Sequence, residues 1–145
     1  MKRHKLLVAN RSEIACRVFQ AAHEMGISTV GLVAPGDEAA RHLTYADQIE
    51  CVTSYLDVPS VIKAARDAGA TMVHPGYGFL SERPVFARAC EDAGILFLGP
   101  KAETMELMGG KIPAKELAAR LNVPTLPWAI VKPGENLKTQ ATKVG

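Results

Sequence analysis

Three glycines, Gly26, Gly69 and Gly94, each stand just after a stretch of helical period and just before a short apolar run. A glycine there ends a helix in the left-handed region without the Cβ penalty other residues carry, so these positions divide the chain into repeating units. The apolar runs Lys5–Ala9, Thr29–Val33, Ile49–Val52, Thr71–His74 and Leu96–Leu98 are too short for helices and are flanked by polar residues. They read as buried parallel strands. Between the first two, Ser12 is expected as the N-cap of a helix whose inner face is Ile14, Val18, Ala21 and Met25, at spacings of four, three and four. Pro59 starts a second helix with Val58, Ile62 and Ala65 inward, and Pro84 a third with Phe86, Ala89, Cys90 and Ala93 inward. Strand–helix alternation of this kind predicts an α/β fold, a doubly wound parallel sheet with right-handed crossovers. Ligands of such sheets bind beyond the carboxyl ends of the strands.

The pattern changes after Gly99-Pro100. Ala102–Met108 is a short helix, Gly109-Gly110 a hinge and Pro113–Leu121 another helix, after which Pro124, Pro127 and Pro133 break the chain. Glu135–Val144 has helical character but few apolar partners. A boundary therefore falls near residues 100–110, with 1–108 as one domain and 109–145 as the incomplete start of a second.

Charge and cysteine usage exclude several classes. Seventeen Lys and Arg against fifteen Asp and Glu give a net charge of +2, too mild for a nucleic-acid binder. The short apolar runs supply no membrane span. The basic start Met1-Lys2-Arg3-His4-Lys5 precedes only Leu6-Leu7-Val8-Ala9 before Asn10-Arg11. A secretory signal needs roughly 7–15 apolar residues, so a cytoplasmic protein is expected. Cys16, Cys51 and Cys90 lie 35 and 39 residues apart, which fits neither a disulfide framework nor a structural zinc site. Cys16 and His23 share a helix flank without further ligands, so no metal site is expected.

Four loops follow strand ends and could carry chemistry. Asn10-Arg11-Ser12-Glu13 lacks the glycines of a dinucleotide-binding turn, and Glu13 would repel a phosphate at the helix start. Capping plus a Glu13–Arg17 helix pair is its favoured role, with Arg11 pairing to an acidic loop across the crevice as the alternative. His74-Pro75-Gly76-Tyr77-Gly78-Phe79-Leu80-Ser81-Glu82 offers backbone amides and an aromatic cover for a small polar ligand, or equally a turn before the Pro84 helix. His74 reads as a satisfied core histidine. Gly109-Gly110-Lys111 combines flexible backbone, a helix start and an ammonium, a weak anion site without a Walker A pattern. Pro35-Gly36-Asp37-Glu38 reads as an acidic turn and helix start, and Trp128 as packing in the second domain.

The segments VANRSEIACRV, YADQIECVTSYLDVPSVI, HPGYGFLSER and FLGPKAETMELMGGK together resemble, in this order, the beginning of biotin carboxylases, the ATP-using components of acyl-CoA and pyruvate carboxylases. The resemblance runs from about Lys5 to the last residue, and HPGYGFLSE is its most specific run. It implies a Rossmann-like domain followed by the truncated start of an ATP-grasp domain. The reaction implied uses ATP and bicarbonate, through carboxyphosphate, to carboxylate N1 of biotin on a carrier protein. Lys111 matches a lysine that contacts ATP phosphates; Tyr77 and Gly78 match residues beside the biotin and bicarbonate pocket, and Glu82 belongs to the same motif. Arg17 and Glu24 match polar positions of a helix at a homodimer interface.

The resemblance further implies ATP, Mg2+ and biotin as cofactors, and a biotin carboxyl carrier and a carboxyltransferase as partners. The flap, adenine pocket, Mg2+ ligands and catalytic residues of the family lie beyond Gly145. No catalytic residue and no metal ligand is therefore expected within the chain, which alone is expected to be inactive. Against the family pattern, Ser12 replaces a glycine and is tolerable as an N-cap. Gly110 replaces an aspartate and Gln20 an interface arginine, and the link from Val52 to Tyr55 is several residues shorter. A stand-alone nucleotide- or subunit-binding module and another ATP-grasp ligase are the alternatives; the HPGYGFLSE run speaks against the latter.

Overall fold

The computed structural model describes residues 4–145, with the side chain of Lys143 left out. The basic residues Met1-Lys2-Arg3 lie outside the described residues. Five parallel strands, β1 (Lys5–Val8), β2 (Ser28–Val33), β3 (Gln48–Cys51), β4 (Met72–His74) and β5 (Leu96–Phe97), form one sheet in the order β3-β2-β1-β4-β5. Helices α1 (Ser12–Glu24), α2 (Val58–Asp67) and α3 (Pro84–Asp92) connect them, with a 3-10 turn at Arg41–Tyr45 before β3. Then follow α4 (Ala102–Gly109), α5 (Lys111–Arg120) and α6 (Leu137–Val144).

Successive residues of β1 point to opposite sheet faces, and both faces are covered. Leu7 joins Val30, Leu32 and Val73 under Val61, Ile62 and Ala65 of α2 and Phe86 and Cys90 of α3. Leu6 and Val8 lie with Met72 under Ala15, Phe19 and Ala22 of α1. Burial on both faces is why β1, β2 and β4 read as near-continuous apolar runs, whereas the edge strands β3 and β5, expected as buried, leave Ile49 and Leu96 exposed. The glycine stops share one geometry. At Gly26 (φ +68) the amide donates to His23 O, and that of Ile27 reaches back to Ala22 O. Gly69 and Gly94 close α2 and α3 with the same pair of bonds, the Schellman arrangement.

Several expectations are corrected. The buried stripe of α1 is Ala15, Phe19 and Ala22; Val18 is partly buried and Met25 is 73% exposed. Two overlapping stripes exist in this sequence, and the direction in which the chain leaves β1 selects the one carrying the larger Phe19. Ser12 is not the N-cap. Extended Arg11 (φ −138°, ψ −176°) holds that place without a side-chain bond, and Ser12 takes the chain reversal at φ +58. The Pro35–Glu38 segment is a turn, with Asp37 N donating to Ala34 O, but the next helical turn begins only at Arg41. Gly109 is the last residue of α4, so Gly110 alone (φ −100°, ψ 140°) separates it from α5, which starts at Lys111 rather than Pro113.

The chain divides into two compact units, Met1–Glu106 and Leu107–Gly145. The first contains the sheet and both core clusters. In the second, no described side chain is buried, and Trp128 is half-buried with the Lys115 ammonium 5.8 Å from its ring centroid.

Candidate functional site

Between β1 and β4 the sheet order changes direction: β2 and β3 build outward from one side of β1, and β4 and β5 from the other. Such a switch point opens a crevice at the carboxyl ends of the two strands. Val8 and His74 are register partners there, and the Ala9 amide donates to His74 O at 2.9 Å. The loops that follow, 10–13 and 75–82, therefore leave the sheet side by side.

Asn10 is 2% exposed and lies between them. Its Nδ2 donates to Pro75 O and to Tyr77 O, both at 2.8 Å, while its Oδ1 accepts from the Arg11 amide at 2.9 Å. Gly76 passes so close that a Cβ there would stand 2.6 Å from Asn10 Nδ2, and its φ is +66. Glycine is required at this position on both counts. The Gly76 amide donates to His74 Nδ1 at 2.9 Å, which makes Nδ1 the acceptor and places the proton of the neutral ring on Nε2. Burial lowers the His74 pKa from its ordinary 6.5, favouring that neutral form.

Two further contacts lock the loops. The Tyr77 hydroxyl donates to Glu13 Oε1. Arg11 Nη1 donates to both oxygens of Asp37, at 3.0 and 2.9 Å, and its guanidinium lies 5.9 Å from the ring centroids of Tyr55 and of Phe79. Those rings stack on each other at 5.7 Å. The Arg11 hydrogen bond is the main cause of a lowered Asp37 pKa, and burial pushes the Tyr55 phenol up to about 12. A cleft of about 290 Å³ lies over this latch, lined by residues 10–14 and 77–79.

Of the residues singled out from sequence, Tyr77 and Gly78 line the cleft, with Tyr77 57% exposed. Glu82 is exposed at the end of the same loop and outside the lining. Lys111 is exposed as the first residue of α5, in the second unit, with no ion pair among the described residues. Arg17 and Glu24 are exposed on α1. Arg17 also lines a separate cleft of about 510 Å³ between α1 and the 3-10 turn, with Gln20 and Arg41. The favoured role for Asn10–Glu13 is corrected: Arg11 takes the alternative pairing across the crevice, and Glu13 is hydrogen-bonded to Tyr77 rather than paired with Arg17. Sequence reasoning named Asn10 and Asp37 only as members of candidate loops, without these roles, and gave Tyr55 no part in the site. The available signal was a polar residue directly after a buried strand, since a buried carboxamide demands partners.

The family model for "Biotin carboxylase, N-terminal domain" matches residues 2–105. The chain belongs to the biotin carboxylase N-terminal domain family. It is 43% identical over 148 residues to the 2-oxoglutarate carboxylase small subunit of Hydrogenobacter thermophilus, covering 97% of this chain and 31% of that protein. Against the biotin carboxylase of Pseudomonas aeruginosa it is 46% identical over 129 residues, 85% of this chain and 29% of the other. The solved biotin carboxylase domain of a thermophilic 2-oxoglutarate carboxylase bound to bicarbonate superposes with a TM-score of 0.87 at 40% identity, covering 97% of this chain and 32% of that one. The chain thus spans about a third of the length of these relatives. Among the described residues no helix is long and apolar enough to cross a membrane, and no group of three or more His, Cys, Asp or Glu side chains is placed to hold a metal ion.

Proposed function

We propose that this chain is the amino-terminal part of an ATP-dependent biotin carboxylase, with residues 1–108 as the domain that precedes an ATP-grasp fold and 109–145 as the start of that fold. The observation that carries the proposal is the 75–82 loop, pinned by Asn10 at the switch point of a domain that matches the family model. In this reading Tyr77 and Gly78 lie beside biotin and bicarbonate, with Glu82 at the edge of the same loop. Free biotin is a cyclic urea fused to a thioether ring with a valerate tail, and a cleft lined by the Tyr77 ring and the backbone of Gly78 offers an apolar face and hydrogen-bonding groups for the fused rings.

Lys111 serves the other substrate. An exposed ammonium at the start of a ten-residue helix adds its charge to the helix's own positive end, which favours the phosphates of ATP. As charge develops on the transferring phosphoryl group, such a cation stabilises it. Mg2+ is not assigned to these residues, because the described side chains offer no set of ligands for it. The 145 residues alone therefore supply one cation toward phosphoryl transfer and are expected to be inactive by themselves. Arg17 and Glu24 form part of the contact with a second copy, and the partners are a biotin carboxyl carrier and a carboxyltransferase. Three free cysteines fit the reducing cytoplasm.

The test is bicarbonate-dependent ADP formation, with incorporation of labelled bicarbonate into free biotin, by the full-length protein that carries this domain. Both activities are expected there and neither in residues 1–145 alone. A full-length protein that forms no ADP in response to bicarbonate would remove the proposal.

A further inference from the structure

Three polar side chains are buried among the described residues: Asn10, Thr29 and His42. Thr29 ties β2 to Asp47, with its amide and hydroxyl donating to that carboxylate at 2.8 and 2.9 Å. His42 bonds to Leu32 O at 3.0 Å, at the core. Thr29 serves the scaffold, whereas His42 is bonded only through Nε2 and keeps its Nδ1 buried without a partner among the described residues. Asn10 differs, because both of its described N–H bonds go to a loop 65 and 67 residues away that lines a cleft.

A buried carboxamide is costly to leave unpaired, so its geometry dictates that of the loop it touches. The carbonyls of Pro75 and Tyr77 are taken by Asn10, and the Gly76 amide by His74. The amides of Tyr77, Gly78 and Phe79 donate to no described residue. All three belong to residues that line the cleft.

Resting on the reading of Tyr77 and Gly78 as neighbours of biotin, we infer that Asn10 is a positioning residue for that substrate: it fixes the 75–79 backbone so that these amides and the Tyr77 ring meet the cyclic urea in one geometry. Asn10 touches the loop and acts through it. Removing its donors misplaces the biotin side while leaving the ATP side, carried by Lys111 in the other unit, as it was.

The experiment is steady-state kinetics of the full-length carboxylase carrying this domain, with free biotin and ATP as the varied substrates. Asn10→Asp keeps the shape but replaces both N–H donors with an anion facing two carbonyls. Gly76→Ala disturbs the same contact from the loop's side, with Asn10 intact, and decides the matter if the first variant does not fold. The expected result is a KM for biotin raised about 10–100-fold, the scale on which small misplacements act, with the KM for ATP unchanged. A biotin KM within twofold of the parent in a folded variant, or KM values for biotin and ATP that rise together, would overturn the inference. A parent enzyme with no bicarbonate-dependent ADP formation would instead remove the functional reading beneath it.

Discussion

Helices α2 and α5 are each ten residues long and each has a proline in its first turn, yet α2 buries Val61, Ile62, Ala64 and Ala65 while α5 buries nothing. The contrast extends to their whole units. Up to Glu106 the apolar stripes close on a sheet that presents two faces; from Leu107 on, Leu121, Val123, Leu126 and Leu137 are more than half exposed. Helical period alone makes a helix possible, whereas a facing surface makes it stable. The same difference divides the chemistry. The first unit holds a latched cleft with several side chains locked by long-range bonds, and the second offers the exposed Lys111 at the start of α5.

The sharpest way to break that comparison is to truncate one apolar side chain in each unit. Phe86 is fully buried, edge-on to Phe97, and Phe86→Ala is expected to destabilise the first unit by about 3–5 kcal/mol through transfer loss and cavity formation. Leu126 is 82% exposed, and Leu126→Ala is expected to change stability by less than about 0.5 kcal/mol. Urea unfolding measures both, and equal effects would erase the distinction.

A smaller effect comes from pH, and it locates the sensitivity in the latched loop. His74 has a folded pKa below its ordinary 6.5, because burial disfavours its charged form, and its neutral Nδ1 accepts the Gly76 amide. A depressed folded pKa contributes stability that is complete above pH 6.5 and is lost as pH falls from there through the folded value. Thermal unfolding followed from pH 8 downward should show this loss in the parent and not in His74→Gln. A second loss belongs below 3.8, where Asp37, held low chiefly by its hydrogen bond from Arg11, takes up its proton. An identical profile for parent and His74→Gln would detach the histidine from the loop.

One small expected change is a gain. Ser12 sits at φ +58, a conformation that penalises any side chain bearing a Cβ. Ser12→Gly is expected to stabilise the first unit by roughly 0.5–1 kcal/mol, after allowing for the greater chain entropy of glycine. A lower urea midpoint in that variant would contradict the backbone argument.

What was legible in the sequence follows the same line between local and long-range causes. Gly26, Gly69 and Gly94 announced their helix ends because a left-handed cap is a local demand, and the apolar runs before and after them became the strands expected. The inner face of α1 was not legible, since Ile14 and Ala15 begin two stripes of similar quality and only the sheet decides between them. Ser12 likewise took its positive φ from where β1 ends and where Arg11 must reach Asp37. In the candidate site, Tyr77 and Gly78 stood out by their motif. Asn10 and Glu13 did not, because their partners lie 64 to 67 residues away and appear only once β1 and β4 are neighbours.

The most direct measurement of the central claim is a paired one on the full-length carboxylase carrying this domain: KM for free biotin and for ATP in Tyr77→Ala and in Lys111→Ala. The cleft between the β1 and β4 ends is read as the biotin side and Lys111 as the ATP side. Tyr77→Ala should therefore raise the biotin KM about tenfold or more with the ATP KM unmoved. Lys111→Ala should lower kcat/KM for ATP by about 10–150-fold, the loss of a charge-assisted phosphate bond, with the biotin KM unmoved. Two variants that shift the same constant, or a Tyr77→Ala enzyme with an unchanged biotin KM, would contradict that division.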